Sequence, residues 1–245
     1  LGNTSKRFFT PVILVYLCLM EPLLLFFKNF STKPIPILDE DIPIKAYVPV
    51  DLSIDNSALL SFDITDPVAC QRYIDEVLDE SQGSVAYGGY LERRNLYNGR
   101  AGFSGLVDGQ RNIHLGMDFW SKAGTAVRVP ISGKVHSFKN NHSAGDYGPT
   151  IILVHDVEGI QFHTLYGHLS LASLEPLYVG RKFYQGDVLG TLGTTEINVN
   201  YAPHLHFQII QNLGDYKGDY PGVCTTRDKE YYAKNCPNPN LLLKV

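Results

Sequence analysis

The chain has 245 residues, 44% of them hydrophobic and 19% charged, with 22 Gly, 14 Pro, 15 Tyr and 12 Phe. That length and composition can bury a sizeable core, and they exclude wholesale disorder and collagen-like repeats. A net charge of −4 leaves no basic surplus to neutralise phosphates, so no nucleic-acid partner is expected.

The amino end departs from the globular pattern. From Phe8 to Phe27 the chain reads FFTPVILVYLCLMEPLLLFF, with Glu21 as its single charge. Such a run is long enough to cross a bilayer as a helix, and its Phe, Leu, Ile and Val outweigh the cost of Glu21. The expectation is an anchor through residues 8–27 and a membrane-associated protein. The alternatives are a helix buried in protein, or a signal segment of a secreted or periplasmic chain. Residues 31–49, with Pro34, Pro36 and Pro43, read as an extended spacer. Residues 1–45 are thus predicted to be apolar helix and linker, and the chain from Lys45 onward to fold on its own core.

Residues 46–100 read as a small α/β cap. Strands are predicted over 48–53 and 59–64. Asp66-Pro67 then reads as an N-cap followed by proline at the first helical position. The predicted helix over 68–81 puts Cys70, Ile74, Val77 and Leu78 on one face, and Gly83 ends it. It is the only helix predicted after the apolar run. From Ser84 onward, short β-like runs alternate with Gly, Pro, Asn and Asp. Residues 101–245 are therefore predicted to be mainly β, an antiparallel sheet with an open groove.

All eight histidines lie between His114 and His206. His204 and His206 are two apart in an apolar run, so on a strand both imidazoles point to one face. His114 and Asp118 are four apart with Gly116 between them, where a bend brings the two side chains together. Imidazole and carboxylate suit zinc, and three protein ligands plus water make a catalytic site. Taken alone, His-x-His is as often two structural strand histidines, and His-x3-Asp arises by chance. His136, His142, His155 and His163 lack partner spacing and read as structural. Cys224 and Cys236 fit either a disulfide or two free thiols.

The pieces HLGMD, AGTAV, SGKV, YGHLS, GDVLGTLG and PHLHF, spread over residues 111–210, resemble the lysostaphin-type zinc metallo-endopeptidases. That family cuts peptide bonds in bacterial cell-wall cross-bridges and stems. The resemblance implies that His114, Asp118 and His206 hold zinc, that His168 and His204 are the two catalytic histidines, and that the substrate is a peptide or peptidoglycan-like. Residues 194–202 form an enlarged loop that bears on the groove's shape. A second set of pieces, PVDLS, GGYLERRNLY, GDYPGV and CPNPNLLL, is similar to a metallopeptidase-like module of large proteins, where it sits beside phosphotransferase-like and aminotransferase-like domains. These pieces carry no mechanism of their own.

One carboxylate and two neutral imidazoles around zinc leave a charge near +1, which acidifies water and polarises a carbonyl. Two histidines titrating near neutrality can then move the proton. Tyr166 is a candidate hydroxyl donor, with core packing as its alternative. The leading reading is a zinc-dependent metallo-endopeptidase. Its rival is a catalytically silent zinc-containing accessory subunit of a membrane-associated assembly, with partner subunits.

Overall fold

Alternation of apolar and polar residues becomes a sheet here, and the parity of each strand decides which side chains meet the core. The computed structural model describes residues 22–96, 109–143, 145–198 and 200–245. The strands are β1 (Tyr47–Pro49), β2 (Val85–Gly88), β3 (Ile113–His114), β4 (Met117–Trp120), β5 (Ala126–Arg128), β6 (Gly133–Asn141), β7 (Gly148–Val157), β8 (Ile160–Gly167), β9 (Lys182–Phe183), β10 (Val188–Thr191), β11 (His204–Ile210) and β12 (Val223–Cys224). Eight of them form one sheet in the order β1-β2-β4-β11-β8-β7-β6-β9, and two small ladders pair β10 with β5 and β12 with β3. All pairings are antiparallel except β1 with β2. The mainly antiparallel β architecture matches the expectation. Phe119, Phe162, Tyr166, Leu205, Phe207 and Ile209 face the main core from the central strands. The opposite face of β11 is left for chemistry.

The apolar amino-terminal run is corrected where it is described. Residues 22–30 are helical, α1. Leu23 and Phe27 are fully buried in the main core, and the Phe27 ring meets Phe162 edge-on at 5.1 Å. Residues 8–21 lie outside the described residues, among which no helix is long and apolar enough to cross a membrane. The spacer is also part of the fold. Ile35, Ile37 and Leu38 are buried, Ile35 N–H donates to Leu243 O at 2.7 Å, and Arg128 N–H donates to Ile37 O at 2.8 Å. The core therefore does not begin at Lys45.

Helix α2 (Pro67–Glu80) forms where predicted, and the Asp66 carboxylate accepts from Val68 N and Ala69 N at 2.7 and 3.0 Å. The strand predicted over 59–64 is instead a 3-10 turn, Ser57–Ser61. Asn56 starts it by accepting from Ala58 N at 3.0 Å, a local bond that outcompetes strand pairing. Two short helices escaped prediction, α3 (Lys229–Asn235) and α4 (Asn240–Leu243). Leu242 and Leu243 of α4 reach the main core from the far end of the chain. Cys224 and Cys236 are both buried free thiols.

Candidate metal centre

Strand β11 turns His204, His206 and Gln208 to one face and Leu205, Phe207 and Ile209 to the core. Antiparallel register on β4 sets Asp118 opposite His206 and Trp120 opposite His204. On the other flank Gly167 of β8 stands opposite His206. A Cβ at Gly167 would lie 2.8 Å from the Tyr147 ring, so glycine leaves the room in which that ring comes to 5.0 Å from His206. Gly116 has the same function on the near side: a Cβ there would lie 2.7 Å from His206 Cε1. The bend at Gly116 carries the chain from His114 on β3 to Asp118 on β4.

Hydrogen bonds fix both tautomers. His114 Nδ1–H donates to Gly89 O at 2.9 Å. His206 Nε2–H donates to Gln208 Oε1 at 2.9 Å, and the Gln208 amide is oriented by donating to Pro221 O and Cys236 Sγ, each at 3.2 Å. The inner nitrogens, His114 Nε2 and His206 Nδ1, therefore present lone pairs to one another at 2.9 Å. Asp118 Oδ1 lies 3.3 and 3.1 Å from them. All three side chains are buried, with their ligand atoms within 4.8 Å of one another. Three electron pairs converging out of water call for a cation, and two imidazoles with one carboxylate suit zinc. The residues fit the metal.

Electrostatics support the same protonation states. Burial pushes the His114 imidazole down to about 4 against the pull of Asp118. Burial alone would raise the Asp118 carboxyl, but its neighbours His114 and Arg94, the latter a buried guanidinium, hold it well below the carboxylate range.

His168 and His204 stand beside this set. Their rings are 4.1 Å apart. His204 Nδ1–H donates to Ala202 O at 2.7 Å, which aims Nε2 at the metal set, 4.0 Å from Asp118 Oδ1; Trp120 stacks on the ring at 5.6 Å. His168 has φ +63°, a strained left-handed conformation of the kind that clusters at functional sites. Its Nδ1 is buried with no hydrogen-bond partner among the described residues. Burial, then the neighbouring His204 and His206, hold His168 well below the ordinary imidazole value, and burial lowers His204.

Tyr166 is not at the site. It lies in the main core with its hydroxyl accepting from Thr164 at 3.2 Å. The tyrosines facing the histidines are Tyr147 and Tyr201, which spacing alone did not single out. Arg94 and Glu92 were also missed as site residues. Gln208 was legible in principle, since it shares the parity of His204 and His206. His155 is structural as expected, bonded to Ser132 O and Thr164 Oγ1 and stacked on Phe162.

A groove of about 380 Å³ opens over the five residues, with Arg111, Tyr147, Tyr201, Tyr216, Asp219 and Tyr220 in its walls.

A buried two-imidazole, one-carboxylate set beneath an open groove is a candidate metal centre. Residues 112–217 match the family model described as Peptidase family M23. Similar solved structures include the catalytic domain of the antimicrobial peptidase lysostaphin from Staphylococcus simulans, at 24% identity and TM-score 0.40, over 65% of this chain and 89% of that one. Another is the catalytic domain of the prophage-encoded M23 protein EnpA from Enterococcus faecalis, at 20% identity and TM-score 0.37, over 55% and 88%. A comparison with curated proteins finds no match.

Proposed function

We propose that the protein is a zinc-dependent endopeptidase that hydrolyses peptide bonds of cell-wall-type peptides. The observation that carries this reading is the pair of facing imidazole lone pairs closed by Asp118 Oδ1, with two further neutral histidines alongside. Zinc, when bound there, supplies Lewis-acid polarisation of a carbonyl and acidifies water near neutral pH. His114, Asp118 and His206 hold it. His204 Nε2, aimed by its bond to Ala202 O, accepts the proton of the attacking water and passes it to the departing amine. His168 faces the same space and hydrogen-bonds the developing oxyanion. Tyr147 and Tyr201 press on these rings and keep bulk water from them.

Cell-wall-type peptides are the inferred substrate class because the groove is open and walled by tyrosines, which suits an extended peptide of small residues. The test uses short Gly- and Ala-rich peptides, bare and attached to cell-wall fragments, with cleavage followed by mass spectrometry. Wild type is expected to carry zinc and cleave. His168→Ala and His204→Ala are expected to keep the metal and lose about 100- to 10,000-fold in rate. Fresh wild-type protein without metal would overturn the reading. Zinc-loaded wild type that cleaves nothing would instead leave the accessory-subunit role.

A further inference from the structure

Residues 89–94 of the piece GGYLERRNLY, without evident mechanism in the sequence, run beside the metal set. Leu91 N–H donates to His114 O at 2.8 Å and His114 N–H donates to Glu92 O at 2.9 Å, so residues 91–94 form the edge partner of the strand that carries a ligand. Gly89 O fixes the tautomer of that same ligand. From this segment Arg94 enters the interior, 1% exposed, and its Nη1 donates to Asp118 Oδ2 at 2.6 Å. Its Nε donates to Glu92 Oε2, while Glu92 Oε1 accepts from Leu52 N at 3.0 Å. The guanidinium also lies over Trp120, 5.6 Å from the ring centre, and Trp120 is the ring stacked on His204.

We propose that Arg94 is a positioning residue that ties up Asp118 Oδ2 so that Asp118 offers the metal Oδ1 alone. The inference rests on the zinc reading above. A carboxylate oxygen that accepts from a buried guanidinium has lost one lone pair and faces a positive charge, so it is a poorer ligand for a cation than its free twin. With one oxygen from Asp118 and one nitrogen from each histidine, three positions are filled and one stays open for water or substrate. Glu92 balances the buried Arg94 charge, leaving the net charge of the centre set by the metal and Asp118. The segment before the metallopeptidase motifs is thereby part of the centre.

The test replaces zinc by cobalt(II) in purified full-length protein and reads its visible absorption, which is strong in four-coordinate sites and weak in five- and six-coordinate ones. Metal affinity is measured in parallel by competition with a chelator. Arg94→Met frees Oδ2 to join the metal, and the absorption is expected to fall by roughly half or more. Metal affinity is expected to drop about 10- to 100-fold, as when other outer partners of ligands are removed. Arg94→Lys keeps the cation without the fork and is expected to fall between Arg94→Met and wild type; it decides the question should Arg94→Met fail to fold. Wild-type absorption and affinity in the folded variants would overturn the inference while leaving the peptidase reading intact. Wild type that binds no metal at all would overturn both.

Discussion

Gly116 and Gly167 show how little side chain the centre tolerates. His206 rests against Gly116, where a Cβ would meet both the imidazole and Phe207 O at 2.7 Å, and the latter is backbone that cannot rotate away. Gly116→Ala is therefore expected to push His206 off the metal and lower metal affinity by about tenfold or more, as removal of ligand support does. Gly159→Ala, at an open turn with φ +79°, is the control: it strains the backbone but leaves the centre alone. Chelator competition checks both, and equal affinities would refute the packing argument. At this scale residue type and short spacing made His114, Asp118, His204 and His206 candidates, and only the family resemblance gave them roles. Arg94 and Tyr147 were not legible, because each reaches the ligands through a contact distant in sequence. Arg94 lies 24 residues from Asp118, and Tyr147, just before β7, packs on His206 of β11.

Elements were legible where their pattern is periodic and their ends are punctuated. The two-residue period of β11 and the Asp66-Pro67 start of α2 are examples. The turn at Ser57–Ser61 was misread, since a short apolar run does not distinguish strand from helical turn when a side-chain cap decides. Strand β7 presents a further case: its first eight residues are buried, so both of its faces are covered and a polar residue on it is enclosed. His155 is that residue, and burial lowers its imidazole to about 4. An unfolded imidazole titrates near 6.5, so between these values the unfolded chain binds more protons than the folded one. The contribution of neutral His155 is full above pH 6.5 and is lost as pH falls towards 4, by ~1.4 kcal/mol per pH unit and about 3 in all. Denaturation curves of metal-free protein between pH 6.5 and 4.5 are expected to decline less steeply for His155→Gln than for wild type. Identical slopes would mean that the imidazole is protonated in the fold.

At the scale of the whole molecule, the first and last described segments, around residues 22–38 and 240–245, meet on the back of the sheet. Lys244 Nζ donates to the carbonyls of Lys28 and Ser31, closing the end of α1, and Ile35 pairs with Leu243. None of this is visible in a sequence pattern, because an apolar helix bound for a membrane and one bound for a core have the same composition. With Leu23 and Phe27 committed to the core, the run before Pro22 comprises residues 8–21, shorter than the roughly 17–25 that a spanning helix needs. We propose that any membrane contact is confined to those residues and that the helix after Pro22 belongs to the domain. Three forms separate the possibilities: the full chain, 22–245 and 45–245. The full chain is expected to sediment with membranes, and 22–245 to stay in the supernatant with a cooperative melt. The form 45–245 lacks Leu23, Phe27, Ile35, Ile37 and Leu38 from the main core and is expected to lose that melt or aggregate. Phe27→Ala in the 22–245 form isolates the contact with Phe162 and is expected to cost about 3–5 kcal/mol, as for a large buried ring. A form 45–245 as stable as 22–245 would show that the segment is only a tether, and a full chain free of membranes would leave the apolar run as a protein contact.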